Sequence, residues 1–268
     1  MNKMLPDEES VNLLWTGGWD STFQLLQLLL VHLQRVTPFY VIDPERRSTG
    51  MELLTMKHIK DHLWNEYPHT RRLLQPTRYC AVEDVSQDCE IAEAFQYILK
   101  EKYIGDQYDW LARFCKSIGI TDMQLCIHLD DKAHIVIEQI VSESTDGFQG
   151  VFRVDPRFKD MNEYVLFQYF SFPLFELSKT QMSTIADRQG WEKIMHMTWF
   201  CQKPANNMKP CGKCKPCLYT IQEGLGWRIP VRSRIVSYFY RQVIWPLRSV
   251  VKIVIRKLGL LKYIQKST

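Results

Sequence analysis

The sequence predicts an α/β fold: an open parallel sheet with helices on both faces, followed by a cysteine-rich knuckle and a basic helical tail. Short apolar runs alternate with longer segments of helical spacing, two glycines follow the first run, and four cysteines gather between residues 201 and 217. Alternation of strand and helix is typical of parallel sheets, because each crossover accommodates a helix. The 268 residues, 46% of them apolar, suffice for such a domain and an extension.

Three apolar runs are the predicted strands, at residues 11–15, 37–42 and 123–129. Apolar residues at helical spacing predict helices at residues 21–30, 51–64, 88–103, 109–118 and 178–189, the last ending at Gly190. The segment 67–88 has no clear pattern and predicts no element. We expect a first domain over residues 1–195, a metal-binding region over 196–226 and a tail over 227–268.

Charge divides the chain unequally. The formal net charge is +4, but no Asp or Glu follows Glu223, and ten Lys and Arg residues lie from Arg228 onward. The rest of the chain holds 24 basic and 30 acidic residues and is net negative. Such a division indicates an anionic partner for the tail.

Cysteine use and the N-terminus indicate the cytoplasm. Residues 1–10 are polar and do not resemble a signal peptide, and no apolar run has the length of a membrane span. Four of the eight cysteines are clustered, which in a reducing compartment favours metal binding over disulfides.

The glycine-rich turn is the first candidate site. A strand runs into Gly17 and Gly18 and then into a helix, so exposed backbone N–H groups and the helix dipole converge on one point, where a phosphate can bind. Asp20 can cap the helix or help to hold Mg²⁺. The candidate ATP-binding residues are Trp15, Thr16, Gly17, Gly18, Trp19, Asp20, Ser21 and Thr22. The alternative is an ordinary strand–helix turn with Asp20 as its N-cap.

The cysteine cluster is the second candidate site. Two residues separate Cys211 from Cys214 and Cys214 from Cys217, and nine residues separate Cys201 from Cys211. Thiolates at this spacing can turn back onto one ion and form a closed tetrahedral Zn²⁺ site, which stabilises the fold. An iron–sulfur cluster is the alternative.

Three motifs resemble the 7-cyano-7-deazaguanine synthases of the PP-loop ATP pyrophosphatase family, whose fold is adenine nucleotide α-hydrolase-like. They are TGGWDS at residues 16–21, PLFELSK at 173–179, and TWFC at 198–201 with CGKCKPC at 211–217. The resemblance implies that ATP adenylates 7-carboxy-7-deazaguanine, that ammonia converts the adenylate to an amide, and that a second ATP drives dehydration to the nitrile, a precursor of queuosine.

The resemblance also implies residue roles. The glycine-rich turn would hold the ATP phosphates with Mg²⁺, Asp20 and Lys179 would be catalytic, and the four cysteines would bind Zn²⁺. Lys179 would stabilise negative charge that develops on the phosphates or the acyl adenylate. A solvated lysine beside a Ser178 N-cap is the alternative.

One family segment, similar to YPDCR, is missing from this chain. Residues 105–114 stand in its approximate place, where Gln107, Tyr108, Asp109 and Arg113 could contact a different acceptor or simply form a helix face. Arg46 and its neighbour Arg47 follow the second strand, as nucleotide contacts or as part of a solvated loop. A different acceptor, such as a surface-glycan precursor, and a non-catalytic nucleotide-binding module are the rival functions. Sulfur transfer is disfavoured, since no cysteine lies near the glycine-rich turn in the sequence.

The residue pattern of the tail predicts two amphipathic helices, separated by a break near Pro246. Aromatic residues with a Lys/Arg face and no acids are typical of a segment that lies on an anionic membrane, here the inner face. Packing on the acidic body, a homodimer contact and nucleic-acid binding are the alternatives.

Overall fold

The computed structural model describes residues 10–144, 150–205 and 208–244. A first compact unit runs to Trp199 and a second begins at Phe200. Within the described ranges, no helix has both the length and the apolar character that crossing a membrane requires.

The first unit contains the strands β1 Val11–Leu14, β2 Val36–Ile42, β3 Arg78–Ala81, β4 Met123–Gln124, β5 Val141–Glu143, β6 Phe152–Val154 and β7 Phe170–Ser171. Five of them form a parallel sheet in the order β3-β2-β1-β4-β7. Strands β5 and β6 form a separate antiparallel ribbon. The predicted parallel sheet is therefore confirmed.

Helices connect the strands. They are α1 Trp19–Leu26, which continues as a π-helical turn over Gln27–Val31, α2 Thr49–Glu66, α3 Thr70–Leu73, α4 Cys89–Glu101, α5 Gln107–Ser117, α6 Lys132–Ile137, α7 Asn162–Phe167, α8 Lys179–Arg188 and α9 Glu192–Met197. The second unit contains α10 Lys215–Gln222 and α11 Val231–Phe239, which continues as a π-helical turn over Tyr240–Ile244.

Local sequence explains where two of the helices begin. The Asp88 side chain accepts a hydrogen bond from the backbone N–H of Ile91 and caps α4. Ser178 and Gln181 form a reciprocal capping box that starts α8. The apolar residues of α4 repeat at helical spacing and are buried: Ile91, Ala94, Phe95 and Ile98.

The sheet is covered on both faces, as predicted. Neighbouring residues of β1 point to opposite faces, so Leu13 and Leu14 belong to two separate apolar clusters. The Leu14 cluster includes residues of α4, α5 and α7, and the Leu13 cluster includes residues of α1, α2, α8 and α9. This two-sided burial explains why the strand residues of β1 and β2 form nearly continuous apolar runs.

The structure differs from the predicted strands in two places. The run 123–129 is a strand only over its first two residues, because Ile127 N–H turns back to the Leu125 carbonyl at 2.8 Å and the chain leaves the sheet. Strand β3 lies in the segment 67–88, for which no element was predicted. Its residues are exposed or half-buried, as expected at a sheet edge, so it lacks an apolar signal.

The second unit holds the cysteines and the start of the tail. Gly212 has φ +72°, and a Cβ built on it would lie 2.3 Å from the Ser233 carbonyl oxygen, so α11 packs directly against the cysteine-bearing loop. The predicted tail helix is present over residues 231–244, while the predicted break near Pro246 and the second helix lie outside the described residues.

Candidate functional site

A cleft of about 210 Å³ opens at the carboxyl edge of the sheet. Strand order reverses here, because β2 lies on one side of β1 and β4 on the other. Parallel α/β sheets bind ligands at such a switch point, since the loops after the two strands diverge and leave a crevice. The lining comes from the glycine-rich turn, the ends of β1 and β2, residues 125–127, Asp131 and the start of α5.

The glycine-rich turn contributes Thr16, Gly18, Asp20 and Ser21 to the cleft. Gly17 adopts φ +69°, which disfavours any residue with a Cβ. A Cβ there would also lie 3.1 Å from Thr55 Cγ2, so the turn packs closely on α2. Gly17 therefore shapes the turn, while its neighbours face the space where a ligand can bind.

The remaining residues of the predicted ATP-binding set have different positions. Trp15 and Thr22 are buried, and the indole Nε1–H of Trp15 donates to Thr22 Oγ1 at 3.1 Å. Neither they nor Gly17 and Trp19 belong to the lining of the cleft. These residues lie outside the cleft. The turn is also held by Trp199, whose backbone N–H donates to the Gly17 carbonyl at 2.9 Å.

Asp20 lies in the first turn of α1 and directs one oxygen into a buried position. Its Oδ1 atom accepts no hydrogen bond from the described residues and lies 3.7 Å from His128 Nε2. Another carboxylate, Asp131, lines the same cleft. An orphaned carboxylate oxygen with a second carboxylate in the same cleft has the chemistry of a Mg²⁺ site, since Mg²⁺ prefers oxygen ligands and nucleotide phosphates.

His128 connects Asp20 to the loop after β4. Its Nδ1 atom accepts the backbone N–H of Asp130 at 3.1 Å. A neutral His128 consequently carries its proton on Nε2, the atom that faces Asp20. The ring is buried and can hold this orientation.

Lys179 reaches this loop through its backbone. It is the first residue of α8, and its N–H donates to Asp130 Oδ2 at 3.0 Å. Leu129 N–H bonds to the Leu177 carbonyl in the same junction. The Lys179 side chain is half-buried and is not part of the lining of the cleft.

Burial and charge keep two further groups of the cleft neutral. Burial raises the pKa of the Tyr108 hydroxyl well above its ordinary value, and the charges of Asp131 and Asp20 raise it further. Burial, followed by the charge of Asp20, likewise raises the pKa of the Cys126 thiol. Cys126 lines the cleft with residues of the glycine-rich turn, although no cysteine lies near that turn in the sequence. A high pKa nevertheless disfavours the nucleophilic thiolate.

Arg46 lines the opposite side of the cleft and is held by a buried carboxylate. Its Nε atom lies 3.2 Å from Glu52 Oε1 and donates to Ser48 Oγ at 3.1 Å. Ser48 Oγ donates to Glu52 Oε1 at 2.7 Å, and Tyr40 Oη donates to Glu52 Oε2 at 2.8 Å. Arg46 is thus a cation fixed at the cleft, while the neighbouring Arg47 is exposed.

The segment 105–114 divides between cleft and scaffold. Gln107, Tyr108 and Trp110 line the cleft. Arg113 instead bonds to Asp109 Oδ2 at 2.6 Å and to the Ser86 carbonyl at 3.1 Å. Of the four residues considered from the sequence, Gln107 and Tyr108 are therefore placed to meet a ligand, and Asp109 and Arg113 stabilise the helix and its neighbour loop.

In the second unit the four predicted metal ligands converge. The Sγ atoms of Cys201, Cys211, Cys214 and Cys217 all lie within 4.8 Å of one another, with individual separations of 3.4, 3.8 and 3.9 Å. A tetrahedron of thiolates about 2.3 Å from zinc has sulfur–sulfur edges of roughly 3.8 Å. The sulfur atoms are thus spaced as a single small ion requires.

Hydrogen bonds to sulfur favour negative charge in this cluster. The backbone N–H groups of Lys213 and Cys214 both donate to Cys211 Sγ at 3.3 Å, and Cys211 N–H donates to Cys201 Sγ at 3.3 Å. Hydrogen bonds from Cys201 and then Cys217 lower the pKa of Cys214 far below that of an ordinary thiol. The hydrogen bond to Cys214 raises the pKa of Cys201, and hydrogen bonds to Cys201 and then Cys214 raise the pKa of Cys217. The cluster therefore favours a thiolate at Cys214, and thiolate is the form that binds metal.

Sequence reasoning missed His128, Asp131, Tyr40 and Glu52. The signal for the first two was a His-Leu-Asp-Asp sequence directly after an apolar run, at the edge where parallel strands end. Glu52 and Tyr40 carried no signal, because each resembles an ordinary helix or strand residue until the fold brings them together.

Comparison with known proteins supports the predicted resemblance. The family model described as queuosine biosynthesis protein QueC matches residues 162–224. This stretch includes Lys179 and all four clustered cysteines, but not the glycine-rich turn. The chain is thus similar to the QueC family, as its motifs predicted, and the similarity extends over 63 residues.

Two further comparisons add nothing to this similarity. Curated protein sequences offer no match. Among solved structures, the U34-tRNA thiolase NcsA from Methanococcus maripaludis, determined with its [4Fe-4S] cluster, aligns with a TM-score of 0.39 and 12% identity, covering 91% of this chain and 75% of that one.

Proposed function

We propose that this protein is an ATP-dependent enzyme that adenylates a carboxylate and adds nitrogen, with 7-carboxy-7-deazaguanine as the acid and 7-cyano-7-deazaguanine as the product. The observation that carries the proposal is the cleft at the β1/β4 switch point, lined by the glycine-rich turn and an orphaned Asp20 carboxylate. The match of residues 162–224 to the QueC family supports the choice of acid.

In this proposal the glycine-rich turn binds the ATP phosphates. The turn leads into the N-terminus of α1, so backbone N–H groups and the positive end of the helix dipole face the anion. Asp20 and Asp131 would hold Mg²⁺, which neutralises phosphate charge when bound. His128 orients the Asp20 carboxylate, and Arg46 adds a fixed positive charge on the facing wall.

The chemistry proceeds in two ATP-dependent stages. An acid oxygen attacks the α-phosphorus of ATP, the bond to the bridging oxygen breaks, and pyrophosphate leaves. Ammonia then attacks the acyl carbon, AMP departs, and an amide forms with loss of a proton. In the second stage the amide oxygen attacks the α-phosphorus of another ATP and pyrophosphate leaves. AMP then departs with the former amide oxygen, and the nitrogen loses both of its protons to leave the nitrile. Cationic groups such as Lys179 and Arg46 would stabilise the charge that develops at phosphorus.

The acceptor would lie against α5. Gln107 offers an amide donor and acceptor, and the neutral Tyr108 hydroxyl can donate to a carboxylate or a ring carbonyl. Trp110, in the same wall, offers an aromatic surface for a flat heterocycle. These groups suit a planar bicyclic acid.

The four cysteines would bind Zn²⁺ as a structural ion. Their sulfur spacing supports a single ion. A four-iron cluster attaches each thiolate to a different iron and spreads the sulfur atoms farther apart. The site has four protein ligands, which is the composition of closed, structural zinc sites.

The test is release of AMP and pyrophosphate from ATP and Mg²⁺, with and without 7-carboxy-7-deazaguanine and ammonium, followed by mass spectrometry of the products. Acid-dependent AMP and the nitrile product would establish the proposal. Asp20→Asn should abolish acid-dependent AMP release, and Asp61→Asn is the matched control, because Asp61 pairs with Lys57 on the surface of α2.

Two other outcomes would replace the proposal. AMP release that depends on another acid would retain adenylation and change the acceptor, with a surface-glycan precursor as the first substitute. ATP binding without turnover under any condition would favour a nucleotide-binding module, because Asp20 and the turn would then serve binding alone.

A further inference from the structure

Helix α11 packs through one narrow face. Ser237 is almost fully buried, and Ser233, one turn earlier, lies against Gly212 of the cysteine-bearing loop. Residues four apart share one side of a helix, so this serine side is the attached face of α11.

The opposite side of α11 is an exposed apolar stripe. It consists of Val231, Ile235, Tyr238 and Phe239, with exposed fractions of 60%, 53%, 63% and 59%. Their spacing of four, three and one residues places them together on the side away from Ser233 and Ser237. Trp227, in the turn before the helix, is 53% exposed as well.

Arginines flank the stripe on both sides. At 100° per residue, Arg232 lies on one edge of the stripe, and Arg234 and Arg241 lie on the other. No Asp or Glu occurs from residue 224 to the C-terminus, and six further Lys and Arg residues follow in residues 245–268. The surface therefore presents apolar side chains in the middle and uncompensated positive charge at both edges.

Such a surface fits the headgroup region of an anionic bilayer. An amphipathic helix lies in the interface with apolar side chains towards the acyl chains, while arginines at its edges remain among the phosphates. A nucleic-acid backbone would use the arginines but would gain little from the aliphatic Val231 and Ile235. We propose that α11 binds this protein peripherally to anionic lipid membranes, through the stripe and its flanking arginines.

The experiment is sedimentation of the full chain with phosphatidylserine-containing vesicles and with vesicles of phosphatidylcholine alone. We expect binding to the anionic vesicles that weakens with salt. The paired substitution Ile235→Glu and Phe239→Glu should weaken it by about tenfold or more, since it places charge where apolar groups enter the interface. Ile135→Glu is the matched control, because Ile135 is 54% exposed and lies on α6 of the first unit.

Several results would overturn the proposal. These are equal binding to both kinds of vesicle, unchanged binding by the Ile235/Phe239 variant, or binding weakened as much by Ile135→Glu. A stripe variant that abolishes single-stranded RNA binding, or that converts a dimer to a monomer while wild-type protein ignores vesicles, would assign the surface to those partners instead. Circular dichroism and zinc content of each variant separate loss of binding from loss of folding.

Discussion

The Nε2 atom of His128 lies 3.7 Å from the Oδ1 atom of Asp20. The same ring accepts the Asp130 N–H on Nδ1, and the Asp130 carboxylate accepts the Lys179 N–H. A residue of the glycine-rich turn is thereby linked, through the loop after β4, to the start of α8. Asp20 and Lys179 are 159 positions apart in the chain, and their link depends on residues that belong to neither motif.

His128→Gln should lower acid-dependent AMP release about 10- to 100-fold, the usual cost of removing a group that orients a metal ligand. The loss should be greatest at low Mg²⁺ and should diminish as Mg²⁺ is raised, because the substitution misplaces Asp20 without removing its charge. Steady-state rates across a Mg²⁺ titration measure this. A loss of equal size at every Mg²⁺ concentration would contradict the positioning role.

Glu52→Gln should destabilise the protein by about 1–3 kcal/mol, because it removes the buried charge to which Arg46, Ser48 and Tyr40 bond. It should also raise the KM for ATP, since Arg46 would no longer be held at the cleft. Urea unfolding and initial rates measure the two effects.

Tyr40→Phe provides the companion measurement. It removes only the hydrogen bond to Glu52 Oε2, leaves Arg46 paired, and should cost about 1 kcal/mol. Equal costs for Tyr40→Phe and Glu52→Gln would show that the ion pair contributes nothing beyond the hydrogen bonds.

Gly17→Ala should destabilise the fold by about 1–2 kcal/mol through its positive φ, with an added cost from the contact to Thr55. Gly119 has φ +68° but open space around a new methyl group, so Gly119→Ala measures only the free-energy cost of placing a Cβ at positive φ. Gly50→Ala, in α2 with open space and ordinary φ, should be neutral or stabilising by up to about 1 kcal/mol. Unfolding free energies should follow this order. A Gly17→Ala cost below that of Gly119→Ala would refute the close packing of the turn on α2.

Cys214→Ala should lose the bound ion and lower stability by about 4 kcal/mol or more, the range in which loss of a metal site falls. Elemental analysis should find zinc in the wild-type protein and little in the variant. Cys89→Ala, an exposed cysteine at the start of α4, is the control and should keep its metal. Iron with a visible charge-transfer absorption in the wild-type protein would assign the site to an iron–sulfur cluster.

The sequence determined the features whose signals are local. The spacing of Cys211, Cys214 and Cys217 brings three thiolates within reach of one ion with little help from the rest of the chain. Gly17 marks the turn after β1, because its positive φ disfavours any residue with a Cβ. Strands β1 and β2 are visible because burial on both faces requires continuous apolar runs. From such signals the parallel sheet, the helices on both faces and the cysteine cluster were all predictable.

The tertiary structure alone decided which polar and charged side chains surround the cleft. His128, Asp131, Glu52 and Tyr40 acquire their roles from neighbours far away in the chain, and a side chain that depends on such neighbours leaves no periodic signal. The shortening of β4 has the same origin, because the chain leaves the sheet after Leu125 and Leu129 N–H bonds to the Leu177 carbonyl just before α8. Local sequence specifies turns, caps and ligand spacing, whereas the positions of charges around a shared space follow from the order in which the strands assemble.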